Sequence, residues 1–574
     1  MQRDLSRLSD TVFDVVVIGG GVAGAAVAWD AALRGLSVAL LERTDFCAET
    51  SAWSLKVVHG GIRYLQHLDF TRVRESCRER SALLRIAPHL VHPMPFVVPT
   101  FGHGLQGSEA LGAAFLLLSA VTADRNRGIL DPERQIPAGR LVSRRQLLAW
   151  FPHLEATRAV GAGVFCDGQM YNPPRLVWEF VRSAVERGAV AANYCEVTGF
   201  IREDGGVTGV RVTDRITGGA FDVRARTVVN AAGPFAEQIY VNQGLRRDRK
   251  IPLSRDMAIV VARPLVTERA LAAQTKYKDP DAVLSRGNRH LFLVPWRDRT
   301  LIGVNSRVWP GDPYALEVTD AEVAAFVEEI CAAAPHFDIT LDDVAMVYAG
   351  LLPFGQNDAG TVDLSFGKRS HLVDHEVTDG IKGLVSAVSI RFTTARGLAR
   401  QAVDLVFQKL GKAPPPCFTE HTPLHGARFD RFAGLVREVE TALGAPTGDP
   451  VPLHLAHNHG SAYRGVLRTA EGLSRGRECI TGTDTLRAEV VHAVREEMAI
   501  TLADCVFRRT DLGPGGHPGD AALAEAADLV AAELGWTAER KASEAAEVRR
   551  RFPRWHAARV RQRPADLDSS RIRG

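Results

Sequence analysis

The run FDVVVIGGGVAGAAVAWDAALRGLSVALLE, residues 13–42, constrains the fold more than any other segment. Phe13–Ile18 is a continuous apolar stretch with β-branched residues, the pattern of a strand buried on both faces. An Ala-rich segment of helical pattern follows and stops at Gly35, a residue suited to a helix C-terminus. SVALLE then returns to strand character. A strand, helix and strand within about thirty residues form a β-α-β unit, so a parallel sheet is expected.

The first turn of that unit carries Gly19-x-Gly21-x-x-Gly24, and the second strand ends at Glu42. In this setting the first glycine makes the turn, the second lets a pyrophosphate approach the backbone, and the third lets helix and strand pack. The helix N-terminus offers N–H groups to phosphate, and Glu42 is placed to accept hydrogen bonds from ribose hydroxyls. A carboxylate there repels a 2′-phosphate, so the ligand is expected to be FAD or NAD. Two further stretches favour FAD. VVHGGIRYL, residues 57–65, sets His59 and Arg63 on either side of the pair Gly60–Gly61, and glycine pairs admit close backbone approach. The buried strand Val223–Ala231 runs into the tight turn Asn230–Pro234, a second approach of the chain to a long ligand.

Along the rest of the chain, a helix is expected over Arg175–Arg187, ending at Gly188, with strands near Ala189–Phe200 and Gly206–Thr213. Short strands dominate Ile251–Val308. An amphipathic helix is expected at Asp320–Ala334, a strand at Gly383–Val388 and a helix at Thr393–Leu410. KAPPPC, residues 412–417, cannot continue a helix and reads as a linker. Beyond it helices dominate, and Arg487–Arg508 places Val491, Val494, Met498, Leu502 and Cys505 on one helical face. Residues 549–563 hold seven arginines and no acid, the pattern of a solvated tail, with contact to anionic lipid or a partner as the alternative.

With 574 residues the chain exceeds one ordinary core. Its net charge of +3 is too mild to suggest nucleic acid. Eight cysteines without a C-x-x-C pair suggest neither a zinc site nor a disulfide framework, and no metal is expected. No signal peptide is read at the polar start MQRDLSRLSD. Leu111–Ala123 falls short of the ~20 residues that span a bilayer and is expected to be a core helix, with a surface-lying membrane contact as the alternative.

The segments GGGVAG, TSAWSLKVVHGGIRYL, VVNAAGPF, VPWRDRTLIG, WPGDP and EMAITLADCVFRRTDLG occur in this order from residue 13 to about 512. Together they resemble the FAD-dependent glycerol-3-phosphate dehydrogenases and oxidases. The resemblance implies an α/β fold like that of D-amino-acid oxidase. A Rossmann-like FAD-binding domain (1–100, with 155–250 and 345–411 returning to it) is interleaved with an antiparallel-sheet substrate domain (101–154 and 251–344). The linker 412–417, an all-helical C-terminal domain (418–548) and a basic tail (549–574) follow. It implies that the Gly60–Gly61 backbone passes beside the flavin, that His59 takes the substrate hydroxyl proton, and that Arg63 binds the substrate phosphate. These roles suit the chemistry, since an imidazole titrates near neutrality and a guanidinium fork matches phosphate. Arg391 stands where the family has lysine and is expected to hold an anion or the flavin O2 edge. By the same resemblance Arg63, Tyr64, Arg255, Leu352 and Arg396 line the substrate site. Gly19, Gly21, Gly24, Glu42, Arg43, Thr50, Ser51, Lys56, His59, Gly60, Gly61, Val197, Ala231, Gly233, Arg391, Phe392 and Thr393 are expected to hold FAD.

The sequence departs from the family pattern on the substrate side. The arginine of "G-x-R-P" is Leu352, the histidine of "K-G-S-H" is Ala258 within Arg255–Ala258, and the serine four residues before His59 is Leu55. "G-T-T-D" becomes Gly303–Ser306, and "G-G-K-L-T-T" becomes Ser389–Thr394. A phosphate bound beside Leu352 lacks a charge-assisted bond of about 1.5–3 kcal/mol. The expected activity is oxidation of a secondary alcohol, glycerol 3-phosphate or a related anionic polyol, with a quinone or oxygen as final acceptor. The alternatives are oxidation of an amine or hydroxy acid, or FAD binding without turnover. A cytoplasmic enzyme is the expectation for its setting, with peripheral contact at the inner face of the membrane and a homodimer as further alternatives.

Overall fold

The computed structural model describes residues 1–62, 64, 69–102, 107–242, 252–278, 288–353 and 370–555. In chain order its strands are β1 Val12–Ile18, β2 Val38–Leu41, β3 Val57–Val58, β4 Val91–Phe101, β5 Arg140–Ser143, β6 Ala159–Met170, β7 Val190–Ala192, β8 Cys195–Glu203 and β9 Gly206–Asp214. Then come β10 Ala220–Asn230, β11 Leu253–Val261, β12 Ala270–Lys278, β13 Asn288–Trp296, β14 Arg299–Trp309, β15 Val344–Pro353, β16 His371–Asp374 and β17 Leu384–Val388.

The first sheet runs β16-β17-β10-β1-β2-β7, and its pairs from β17 to β7 are parallel. The apolar run of β1 is explained by burial on both faces. Val15 and Val17 pack under the helices Val22–Leu33, Pro173–Glu186 and Ala395–Lys409, through Val27, Trp29, Phe180 and Val403. Val16 and Ile18 face the opposite core, with Phe200, Val210 and Val228. Gly35, at φ +85°, lies just beyond the helix Val22–Leu33. Asn172 caps Pro173–Glu186 by accepting from Arg175 N, and prolines fill its first turn, where their missing N–H groups are not needed.

The second sheet runs β15-β11-β14-β13-β12-β4-β6-β3, with β5 on β6, and is antiparallel except at β12–β4. Its membership corrects the expected domain limits. The strands β4 and β6, within residues 91–170, and β15, within 344–353, belong to this sheet rather than to the nucleotide domain. The helix Asp320–Ala333, opened by a Thr319–Glu322 capping box, covers one face. The C-terminal helices pack on the sheet through Val490, Leu502, Phe507 and Leu523 against Phe96, Trp296 and Tyr348.

Two helical expectations are corrected. Arg487–Arg508 is not one helix: Arg487–Glu496 ends, Met498 takes φ 55°, and a new turn starts at Leu502. The break has two anchors. Glu497 is pulled to Arg175 Nη1 at 2.5 Å, and Thr501 and Asp504 form a fresh capping box. Met498 therefore joins the core under the first sheet while Leu502 and Cys505 join that of the second. Leu111–Ala123 lies, up to Val121, in the helix Ser108–Val121, which buries Phe115 against β6 yet leaves Leu116 77% and Leu117 42% exposed. It is a surface helix, not a core one. Among the described residues no helix is long and apolar enough to cross a membrane.

The C-terminal domain is tied to the first sheet's side by Asp45, fully buried beyond β2. It accepts from Arg508 Nε at 2.6 Å and from Arg509 Nη1 and Nη2 at 2.8 and 2.7 Å. Burial alone would raise this carboxyl; the two guanidinium charges outweigh it and hold the group below the usual carboxylate range. Asp45→Asn leaves two buried cations short of a counter-charge. We expect a loss of about 3–5 kcal/mol, read as a lowered midpoint in urea unfolding of the full chain.

Candidate active site

A long cavity opens between the two sheets, with ≈ 1740 Å³ of unfilled space counting its open mouth. Its lining runs from the β1 turn to the segment after β17, which suits an extended ligand. One end is built by the β1 turn. Gly19 has φ +100°, and a Cβ there would stand 2.8 Å from Ala231 O. A Cβ on Gly24 would stand 1.8 Å from Gly19 O, so the third glycine serves helix–turn contact from within the buried helix and does not line the cavity. Gly21 lines it at the helix N-terminus, where Ser51 Oγ accepts from Val22 N at 3.1 Å.

Glu42 closes this turn from β2. Its carboxylate accepts from Gly20 N at 2.7 Å and from Thr44 N at 2.8 Å, and burial raises its pKa against the pull of those bonds. Arg43 lies beside it, its guanidinium 4.5 Å from the Phe235 ring centre and 4.4 Å from that of Tyr314. Val197, Ala231 and Gly233 complete this end. Thr50 joins the halves: its hydroxyl donates to Leu351 O at 2.9 Å and accepts from Leu351 N at 3.1 Å.

The other end holds His59, Arg391, Phe392 and Thr393 opposite Leu55, Ala258, Val304 and Leu352 of the second sheet's side. His59 N donates to Thr393 Oγ1 at 3.2 Å, which fixes the segment after β3 against the turn after β17. The His59 ring stands edge-on to Tyr64, 5.9 Å between centres. Arg391 lines the cavity, but its guanidinium reaches away to Glu75 at 3.0 Å and Ser76 at 2.9 Å, and Tyr64 OH is 3.4 Å from it.

Several expected site residues are placed elsewhere. Arg63 lies outside the described residues. Arg396 is buried and bidentate to Glu79 at 2.8 and 2.5 Å, a structural pair between two helices. Arg255 points to the opposite face of the sheet, where it meets Glu322 at 2.8 Å. Gly60 and Gly61 do not line the cavity. What lies against Gly60 is the buried ion pair Arg80–Asp167: a Cβ would meet Arg80 Nη1 at 2.2 Å, and Gly60 N donates to Asp167 at 2.6 Å. Gly61, at φ +79°, packs on Tyr64, which itself does not line the cavity. Lys56 is buried away from it, its ammonium 4.5 and 4.6 Å from the ring centres of Trp296 and Tyr348.

Sequence reading missed Trp53, Phe235, Tyr314 and Asp256, which also line the cavity. Phe235, one residue past the Asn230–Pro234 turn, was the nearest to a signal; Asp256 and Tyr314 reach the cavity from distant segments. His459, His492 and Glu497 bring potential metal-ligand atoms within 4.8 Å of one another. Arg175, 3.1 Å from His459 and 2.5 Å from Glu497, already supplies the positive charge there.

The glycine turn, the helix N-terminus and Glu42 fit a dinucleotide, and the cavity continues past them to His59. Residues 14–405 match the family model described as FAD dependent oxidoreductase. The chain belongs to that family. In this FAD-dependent oxidoreductase residues 417–541 also match the C-terminal domain of alpha-glycerophosphate oxidase. The chain is 30% identical over 556 residues to a glycerol-3-phosphate dehydrogenase of Synechocystis sp., covering 94% of this chain and 96% of the relative. A glycerol-3-phosphate dehydrogenase of Mycobacterium leprae is 32% identical, covering 93% and 87%. The structure of the glycerol-3-phosphate dehydrogenase from Bacillus halodurans complexed with FAD aligns with TM-score 0.73 and 26% identity over 95% of each chain. The FAD-dependent oxidoreductase therefore shares fold and C-terminal domain with these proteins along nearly its whole length.

Burial, and then the neighbouring Arg297 charge, push the Lys56 pKa well below its ordinary value. The unfolded chain thus binds one more proton in the alkaline range, so this residue's contribution to stability improves as pH rises towards the free-lysine pKa of about 10.4. Lys56→Met should unfold at the same or a higher temperature than the native chain at pH 7, and the gap should narrow by pH 10.

Proposed function

We propose that this chain oxidises a secondary alcohol of the glycerol-3-phosphate type, with His59 as the proton acceptor. The observation that carries this reading is the shared cavity: the dinucleotide cradle at Gly19–Glu42 and His59 line one continuous space. Bound FAD supplies the two-electron acceptor for the hydride that leaves the alcohol carbon. As that C–H bond breaks, the hydroxyl proton passes to His59 and the carbon–oxygen double bond of a ketone forms. Thr393 holds the His59 backbone, and Tyr64 packs on its ring, so the base is oriented before substrate arrives. Gly19, Gly21, Glu42, Thr50, Ser51, Val197, Ala231, Gly233, Phe392 and Thr393 would hold the cofactor, with Gly24 and Gly60 acting through packing. A quinone or oxygen would be the final acceptor.

Anaerobic mixing of the purified flavoprotein with glycerol 3-phosphate and related anionic alcohols tests the reading. Bleaching of the oxidised flavin is expected. His59→Asn should retain flavin and slow bleaching by about 10²–10⁴-fold. Bleaching by amines that survives this substitution would favour amine oxidation instead.

The exposed apolar side chains of Ser108–Val121 support peripheral membrane contact. Leu116→Glu with Leu117→Glu should lower co-sedimentation with anionic phospholipid vesicles and leave soluble-acceptor activity unchanged. Equal sedimentation of both proteins would remove this helix from the contact.

A further inference from the structure

Leu55, Ala258 and Leu352, which the resemblance implies stand in place of polar substrate residues, are far apart in sequence yet line one cavity. The sheet register explains the convergence. In β11 and β15 Ala258 pairs with Tyr348, Asp256 with Gly350 and Ser254 with Leu352. Side chains alternate along a strand, so Ala258, Asp256 and Leu352 share one face, and Arg255 falls on the other. In β14, Gly303 pairs with Ala258. An added Cβ at Gly303 would stand 2.9 Å from Ala258 Cβ and 3.1 Å from Leu55 Cδ1, which places Leu55 directly on this wall. Val304 lines the same region. Leu55 and Leu352 are both half-buried, with surface left for a ligand to cover.

Among the described residues, the cations expected to serve a phosphate are engaged elsewhere. Arg255 meets Glu322, Arg396 meets Glu79, and Arg391, on the facing wall, meets Glu75. The charged side chain that the β11–β15 face does bring to the cavity is a carboxylate, Asp256, which accepts from Ser254 Oγ at 3.0 Å. A phosphate dianion seated on Leu352 would lose its hydration against aliphatic carbon. An alkyl group in the same place would remove from water the apolar surface that Leu55 and Leu352 leave accessible.

We propose that the Leu55–Ala258–Leu352 wall receives an apolar chain borne by the substrate, so that the preferred substrate is a glycerol phosphate substituted at its 1-position by an alkyl group. The reacting alcohol at carbon 2, its proton acceptor and its hydride acceptor are those of the reading above, on which this inference rests. The substituent replaces the phosphate contact of the wall, and the phosphate of such a substrate is directed away from it.

The test compares glycerol 3-phosphate with its 1-O-methyl, 1-O-propyl and 1-O-butyl ethers on the intact flavoprotein, by anaerobic flavin bleaching. The half-saturating concentration should fall along the series, by tenfold or more from parent to butyl ether, since each buried methylene is worth roughly fourfold. Leu352→Arg should abolish this trend while flavin is retained. If that variant does not fold, Ala258→Leu, which fills the wall with carbon, should flatten the series in the same way. Glycerol 3-phosphate saturating at the same or lower concentration than every ether would overturn the inference and leave the alcohol-oxidising reading standing. A trend that persists undiminished in Leu352→Arg or in Ala258→Leu would also overturn it. No bleaching by any member would sink both.

Discussion

The turn between β1 and the helix Val22–Leu33 has no room for side chains, and the site follows from that. Gly19 is pressed by Ala231 and Gly24 by Gly19 itself. A backbone this close to its neighbours exposes N–H groups where a side chain would otherwise stand, at the positive end of a helix. Glu42 then fixes the turn from β2 through Gly20 N and Thr44 N. Thr50 helps to lay the second sheet across this surface by giving both hydrogen-bonding functions of its hydroxyl to Leu351. Cradle and substrate wall are therefore positioned by contacts a few ångströms long.

Charge is distributed around this site in a consistent way. Buried guanidinium groups are common, but each expected as a substrate anchor and described in the structure has a carboxylate partner. The pairs are architectural: Arg396–Glu79 ties two helices, Arg80–Asp167 fills the space behind Gly60, and Asp45 holds the C-terminal domain by two arginines. Such pairs are costly to break because the survivor is left charged and dry. They lock geometry and withdraw positive charge from the cavity, whose second-sheet wall is mostly aliphatic.

The C-terminal domain also has a part in the site. Asp45 lies between Glu42 and Cys47, a stretch whose two ends line the cavity. The arginines that hold it sit at 508 and 509, beyond the break at Met498. An uninterrupted helix would carry Glu497 past Arg175 and move both arginines. The irregularity at 497–501 is thus what lets one segment grip two cores.

The β-α-β unit, its glycine turn, Glu42 and membership of the FAD-dependent family were legible in the sequence, and so was the placing of His59 in a motif of its own. These features rest on local physics: periodicity, the space a Cβ needs, and the spacing from strand to helix. The roles of Arg255, Arg396, Lys56 and Gly60, the exposure of Leu116 and the break at Met498 were not legible. An arginine reads the same whether its carboxylate partner is absent or arrives from 317 residues away, as Glu79 does for Arg396. An apolar helix reads the same until the neighbouring strand decides which face it covers. The sequence by itself determined what could be built at short range; tertiary structure decided which charges remained for chemistry, because ion pairing and burial depend on partners that only the folded chain brings together.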